Sequence, residues 1–181
     1  MAGKDVDEVR VGVDGVVSVA PTGTAAPTSA VAALNAAFKD LGYVSEDGVT
    51  ETSNQTTEPV RAWQKNKVVR TLVTEGDVQF QFTLIQTSAD VIAFYYGGTV
   101  ATDGSIIVDS TQERPRQALV LDVIDGDETV RAYAPEAQIT EVGDIVYQNG
   151  APIGYEVTVT AHHNETLGGS VQKWFASLDA S

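Results

Sequence analysis

The stretch 77–86, DVQFQFTLIQ, alternates clearly through its first eight residues. Val78, Phe80, Phe82 and Leu84 fall at one parity, Asp77, Gln79, Gln81 and Thr83 at the other. A period of two with one apolar set belongs to a strand that is dry on one face and wet on the other. A sheet that covers a core on one side only is antiparallel as a rule, so this run commits the chain to a mainly β architecture. The run 155–163 repeats the pattern, with Tyr155, Val157 and Val159 opposite Glu156, Thr158, Thr160 and His162.

Further strands are expected over 60–74, 105–110, 118–124, 129–134 and 138–147, with turn signals at Asp125-Gly126 and Asn149-Gly150 between some of them. The run 9–20, VRVGVDGVVSVA, reads as two short strands about a tight turn at Asp14-Gly15. The run 173–178 reads as a closing strand or short helix. Two helices are predicted. The first covers 30–41, with Val31, Leu34, Ala37, Phe38 and Leu41 at helical spacing, Thr28 or Ser29 as cap and Gly42 as stop. The second covers 89–96, capped by Thr87 or Ser88 and ended by Gly97-Gly98. The expected fold is an antiparallel β-sandwich or half-barrel with one or two α-helices. At 181 residues and 43% hydrophobic content it forms one domain, 1–181. Within it, 43–59 reads as a long polar connection, rich in Ser and Thr, without a core of its own. Such a segment is mobile or is ordered by a partner, which a homo-oligomer would supply.

Composition narrows the function. There are 25 acidic against 11 basic residues, a formal net charge of −14, which argues against a protein that grips phosphates. The same acidity also serves simply to keep an abundant protein soluble. Cysteine is absent, so neither disulfides nor thiolate metal sites hold the fold. The first ten residues lack the apolar stretch of a signal peptide, and no window reaches membrane-span length, so no membrane association is expected.

No chemistry assembles from the residues. His162 and His163 are adjacent and in a strand point to opposite faces, so they do not chelate one ion together. Asp122, Asp125, Asp127 and Glu128 lack the spacing of a calcium loop and fit a polar hairpin turn. There is no dinucleotide fingerprint, no nucleophile elbow, and no spacing that selects a carboxylate pair. Trp63 and Trp174 could stack on sugars, but each also fits a core or an interface. The expectation is a protein with no catalytic residues, no cofactor and no metal. A glycosidase has no motif in its favour. A β-sandwich carbohydrate-binding or host-adhesion module is the alternative from a different class, and would need an exposed aromatic cluster from a chain with 7% aromatics.

Three stretches carry a resemblance. They are GVVSVAPTGTAAPTS over 15–29, LNAAFKDLGYVSEDGVTET over 34–52, and RAWQ over 61–64 followed by GDVQFQFTLIQTSADVIAFYYGG over 76–98. In order and spacing they resemble the major tail tube proteins of long-tailed, non-contractile bacteriophages, especially those of actinobacteria. The likeness covers roughly the first hundred residues; beyond Gly98 only the strand pattern is similar. Gln86 stands where an acidic residue is expected in many relatives. The chain ends shortly after KWFASL, so no C-terminal immunoglobulin-like domain is expected.

The resemblance implies the fold shared by tail tubes and related secretion tubes. It implies a structural virion protein, assembled in the host cytoplasm, that forms stacked hexameric rings. Its partners would be further copies of itself, the tape measure protein, the tail terminator and the distal tail proteins, with DNA passing through the lumen unbound. One polar sheet face would line that lumen, with Asp77, Gln79, Gln81, Glu156 and Thr158 as candidates. The segment 43–59 would reach a neighbouring subunit or ring through Tyr43, Val44, Glu46, Asp47, Val49 and Glu51, helped by the N-terminal arm 1–10.

Overall fold

A computed structural model describes residues 8–178. Eight strands form one antiparallel sheet: β1 Asp14–Pro21, β2 Lys39–Asp40, β3 Val44–Arg61, β4 Val68–Leu84, β5 Gln117–Asp125, β6 Glu128–Val142, β7 Tyr155–Ala161 and β8 Gln172–Phe175. Their order is β2-β1-β5-β6-β7-β4-β3, with β8 paired to β6. One helix, α1 Ala89–Tyr96, packs on the sheet. The mainly β expectation is met. Of the N-terminal arm 1–10, residues 1–7 lie outside the described residues.

The alternation at 77–86 does what its period dictates. Phe80, Phe82 and Leu84 enter the main core beside Tyr155, Val157, Val159 and Ala161 of β7, and β4 and β7 pair in register from Val78↔Ala161 to Leu84↔Tyr155. Helix α1 closes this core with Val91, Phe94 and Tyr95. Ser88 caps it by accepting from the Val91 N–H at 3.3 Å, and Gly97 ends it at φ +73°, a left-handed turn that glycine adopts without strain.

The β1-β5-β6 half is buried on both faces, which is why its strands read as continuous apolar runs. Val17, Val19, Leu119, Leu121, Ala132 and Ala134 face the main core. Ala20, Ala118, Val120 and Tyr133 face a second, smaller cluster covered by Leu34, Phe38 and Trp174. Strand β6 serves both halves. Its first part lies between β5 and β8, and its second part pairs with β7 from Ala137 to Val142. The change of neighbour follows a register shift that includes Pro135, a residue with no N–H to give a ladder.

Several sequence expectations need correction. The segment 30–41 is not a helix. Arg131, buried under it, donates to the Ser29 carbonyl at 3.0 Å and the Ala32 carbonyl at 2.6 Å, taking acceptors that a helix would use. Ser29 Oγ and Asn35 Oδ1 add local turns by accepting from the Ala32 and Ala37 N–H groups. Leu34 and Phe38 still reach a core, but from irregular backbone. The run 9–20 is not a hairpin: Gly15 lies inside β1, which pairs with β5 over its whole length. The run 105–110 is not a strand. Asp103 and Asp109 each accept from the backbone N–H two residues on, fixing turns at both ends. The runs 129–134 and 138–147 belong to the single strand β6, which stops at Val142. The run 43–59 is not an irregular connection but most of β3, paired with β4 from Val44 to Arg61.

Arg131 holds Asp122 through two bonds, at 2.6 and 2.8 Å, with both side chains nearly removed from water. Substituting Arg131→Ala orphans that carboxylate and releases the 29–32 segment. It is expected to cost about 3–5 kcal/mol in denaturant unfolding. The Asp122→Ala/Arg131→Ala pair should cost less than the sum of the single changes.

Candidate assembly surface

The five sequence candidates for a lumen lie together. Asp77, Gln79 and Gln81 sit on the face of β4 turned from the core, and Glu156 and Thr158 on the same face of β7, with Gln81 directly opposite Thr158. Gln81 Nε2 donates to Glu156 Oε1 at 2.7 Å, and Gln79 Nε2 to Asp77 Oδ2 at 2.6 Å. Strand β3 extends the face with Thr50 and Thr52, opposite Gln81 and Gln79, and β6 with Gln138 and Glu141. None of these paired residues is Lys or Arg. The face therefore presents carboxylates, amides and hydroxyls to whatever meets it.

At one margin of this face is a polar network. Glu136 accepts from Arg116 at 2.8 Å and from Asn164 at 2.9 Å, and His162 bonds Gln138 at 3.1 Å. The Arg116 guanidinium, and after it Asn164, hold the Glu136 carboxyl below its usual range. A carboxyl lowered on folding contributes stability that is present above its unfolded value, roughly 4.3, and is lost as pH falls through the folded value. Glu136→Gln should therefore cost stability at neutral pH, and denaturant midpoints of the two proteins should converge in acid.

The second feature is a protruding hairpin. Strand β4 pairs with β7 only from Val78 onward, so, among the described residues, 55–76 have no sheet neighbour but each other. Every residue of 50–61 and 64–76 is exposed, including the apolar Val60, Val69, Leu72 and Val73. Trp63 at the tip is 98% exposed. Sequence reading missed this arm, although the Lys65-Asn66-Lys67 break between apolar runs marked its tip. Lys65 and Asn66 both take positive φ, 56° and 54°, as in the tight turns that join paired strands. Four cations, Arg61, Lys65, Lys67 and Arg70, crowd the tip with no acid among residues 61–70.

At the other end of β3 the six contact candidates divide. Val44 and Val49 pack against the chain's own core. Glu51 is bonded by Lys173 of β8 at 2.6 Å, which ties the root of the arm to the C-terminal strand. Tyr43, Glu46 and Asp47 are exposed. Between Val44 and Val49 the register slips by three residues, and the bulge walls a groove of about 900 Å³. Leu121, Val123, Val44 and Val49 give the groove apolar lining, Asp14, Asp40, Glu46 and Asp47 give it acids, and among the described residues no Lys or Arg lines it. Ser45 Oγ, buried in its wall, has no hydrogen-bond partner among the described residues. Among the described residues no group of three or more His, Cys, Asp or Glu side chains is placed to hold a metal ion, and no helix is long and apolar enough to cross a membrane.

A family model described as phage tail tube protein matches residues 1–177. The chain belongs to the phage tail tube protein family, whose members are structural components of the virion. Among solved structures it is similar to a chain of the native gene transfer agent virion, at 12% identity and a TM-score of 0.47, covering 93% of this chain and 99% of that one. It is also similar to a chain in the tail of the empty gene transfer agent particle, at 13% identity and 0.46, covering 86% and 96%. A third is a chain of the sheath–tube complex of an extracellular contractile injection system, at 11% identity and 0.43, covering 93% of each. No curated protein matches. The family assignment stands on the match over 1–177.

Proposed function

We propose that copies of this chain assemble into hexameric rings, that the rings stack into the tail tube, and that the genome leaves the particle through its lumen. The observation that carries the conduit reading is the cation-free face built by β4 and β7. Duplex DNA presents roughly one negative charge per 1.7 Å of axis, and a wall of Asp, Glu, Gln and Thr offers nothing to condense on it. A wall of Lys and Arg would hold the genome in place. In this reading Asp77, Gln79, Gln81, Glu156 and Thr158 line the channel, and the chain is structural, with no catalytic role and no cofactor. Its other contacts would be with the tape measure protein, the tail terminator and the distal tail proteins at the ends and interior of the tube. In this reading the tube is assembled in the host cytoplasm.

The hairpin arm supports self-association. A two-stranded ribbon is marginal in water by itself. This one carries apolar side chains that its own chain leaves bare, and a neighbouring subunit would cover them. Tyr43, Glu46 and Asp47 are the contact candidates with exposed side chains, whereas Val44, Val49 and Glu51 would act by shaping the root of the arm.

Two experiments follow. Replacing residues 57–73 with a two-residue Asn-Gly turn should leave a folded subunit with a melting temperature near that of the parent, because no core residue is removed. Electron microscopy should then show no long tubes; tubes of normal length would remove the arm from assembly. Replacing Asp77 and Glu156 by Lys should permit tail assembly but slow genome release in a dye-based ejection assay. Ejection at the parental rate would place the two residues away from the channel.

A further inference from the structure

The arm tip and the groove are complementary, and one molecule does not bring them together. The groove is walled by residues 44–49 at the start of β3, and the cationic tip follows Arg61 at its end. Twelve residues of paired strand separate Val49 from Arg61, a span of ~40 Å at antiparallel spacing. A tip held that far away along its own strand does not enter its own groove, whereas it can enter that of another copy.

Charge and shape agree. The tip holds four of the eleven cations of the chain within ten residues, in a protein that otherwise carries 25 acids. Arg61 donates to the Asn66 carbonyl at 3.2 Å within the tip, and Lys65, Lys67 and Arg70 project from exposed positions on the ribbon. Lys65 has a left-handed backbone, φ 56°, a conformation cheaper for Asn or Gly, so a cation is kept there at some cost in backbone energy. The groove answers with Asp14, Asp40, Glu46 and Asp47 around the apolar Leu121 and Val123. It also offers backbone, because β2 covers β1 only at Ser18 and Val19, and among the described residues no strand pairs with the outer edge of Asp14 to Val16. Trp63 is an exposed apolar group of a size to meet that floor.

We propose that the basic, tryptophan-bearing tip of one copy docks in the acidic groove of a second copy. The contact rests on the tube reading above and supplies it with a head-to-tail joint. Tip and groove are different surfaces ~40 Å apart, so a copy whose tip is docked still offers its groove to a third, and repeating the contact in one direction gives a heterologous, extendable chain of copies. Successive copies along the joint would lie no more than ~40 Å apart.

Charge reversal tests the pairing. The tip variant Lys65→Glu/Lys67→Glu and the groove variant Glu46→Lys/Asp47→Lys should each lower tube yield by about tenfold or more, since like charges then meet at the joint. All four changes in one chain, or a mixture of the two variants, should restore tubes. If the combined chain polymerises no better than the single variants, the pairing is wrong. A second measurement does not depend on yield. The chain has no cysteine, so Lys65→Cys/Asp47→Cys introduces the only thiols. Mild oxidation of assembled tubes should give a ladder of covalent multimers on non-reducing gels. Tubes that form normally yet give no ladder overturn the joint while leaving the tube assignment intact, and a parent chain that forms no tubes overturns both. Fluorescence anisotropy with a short duplex DNA covers the competing use of a basic tip. Tip-dependent DNA binding together with an absent ladder would assign the tip to nucleic acid instead.

Discussion

The register between β4 and β7 is the constraint on which the other features depend. Pairing Val78↔Ala161 through Leu84↔Tyr155 places Phe80, Phe82 and Leu84 in the core, where each contributes about 1.5–3 kcal/mol by leaving water. A slip of β4 by one residue would turn all of them into solvent and bring Gln79 and Gln81 inside. The same pairing therefore fixes the polar face as firmly as the apolar one. A polar face made this way is rigid, because its side chains are anchored by the packing behind them.

Strand β4 is also longer than the core needs. Its last seven residues build the body, and its earlier part, with β3, leaves the body as a ribbon. The body is thus stabilised by burial within one chain, while the ribbon shows apolar and cationic groups without cover. Folding and association are separated along one pair of strands. The root of the ribbon is held by Val44 and Val49 in the core and by the Lys173–Glu51 ion pair, so the direction of the arm is set by the body.

Much of this was legible in the sequence because periodicity reports burial. The single-faced strands β4 and β7 showed strict alternation, the double-faced β1 and β5 showed continuous apolar runs, and α1 announced itself through Ser88 and Gly97. Other features were hidden for physical reasons. The helical spacing of Leu34, Phe38 and Leu41 was genuine, but Arg131 lies about a hundred residues away in sequence, and it takes the carbonyls that a helix requires. The ribbon part of β3, residues 50–61, is exposed on both faces and shows no apolar period. Its Thr50, Thr52, Thr56 and Thr57 carried β propensity, but polar composition alone read as a connection. The candidates on the polar face were readable from parity, whereas the groove depends on a bulge and on strands brought together from distant parts of the chain.

Helical reconstruction of tubes assembled from the purified protein tests the central claim most directly. The account expects a channel lined by the polar face of β4 and β7, with Asp77 and Glu156 toward the axis, and the hairpin arm of each subunit crossing to another copy. A reconstruction with that face on the outer wall, or with the arm ending in solvent, would contradict it.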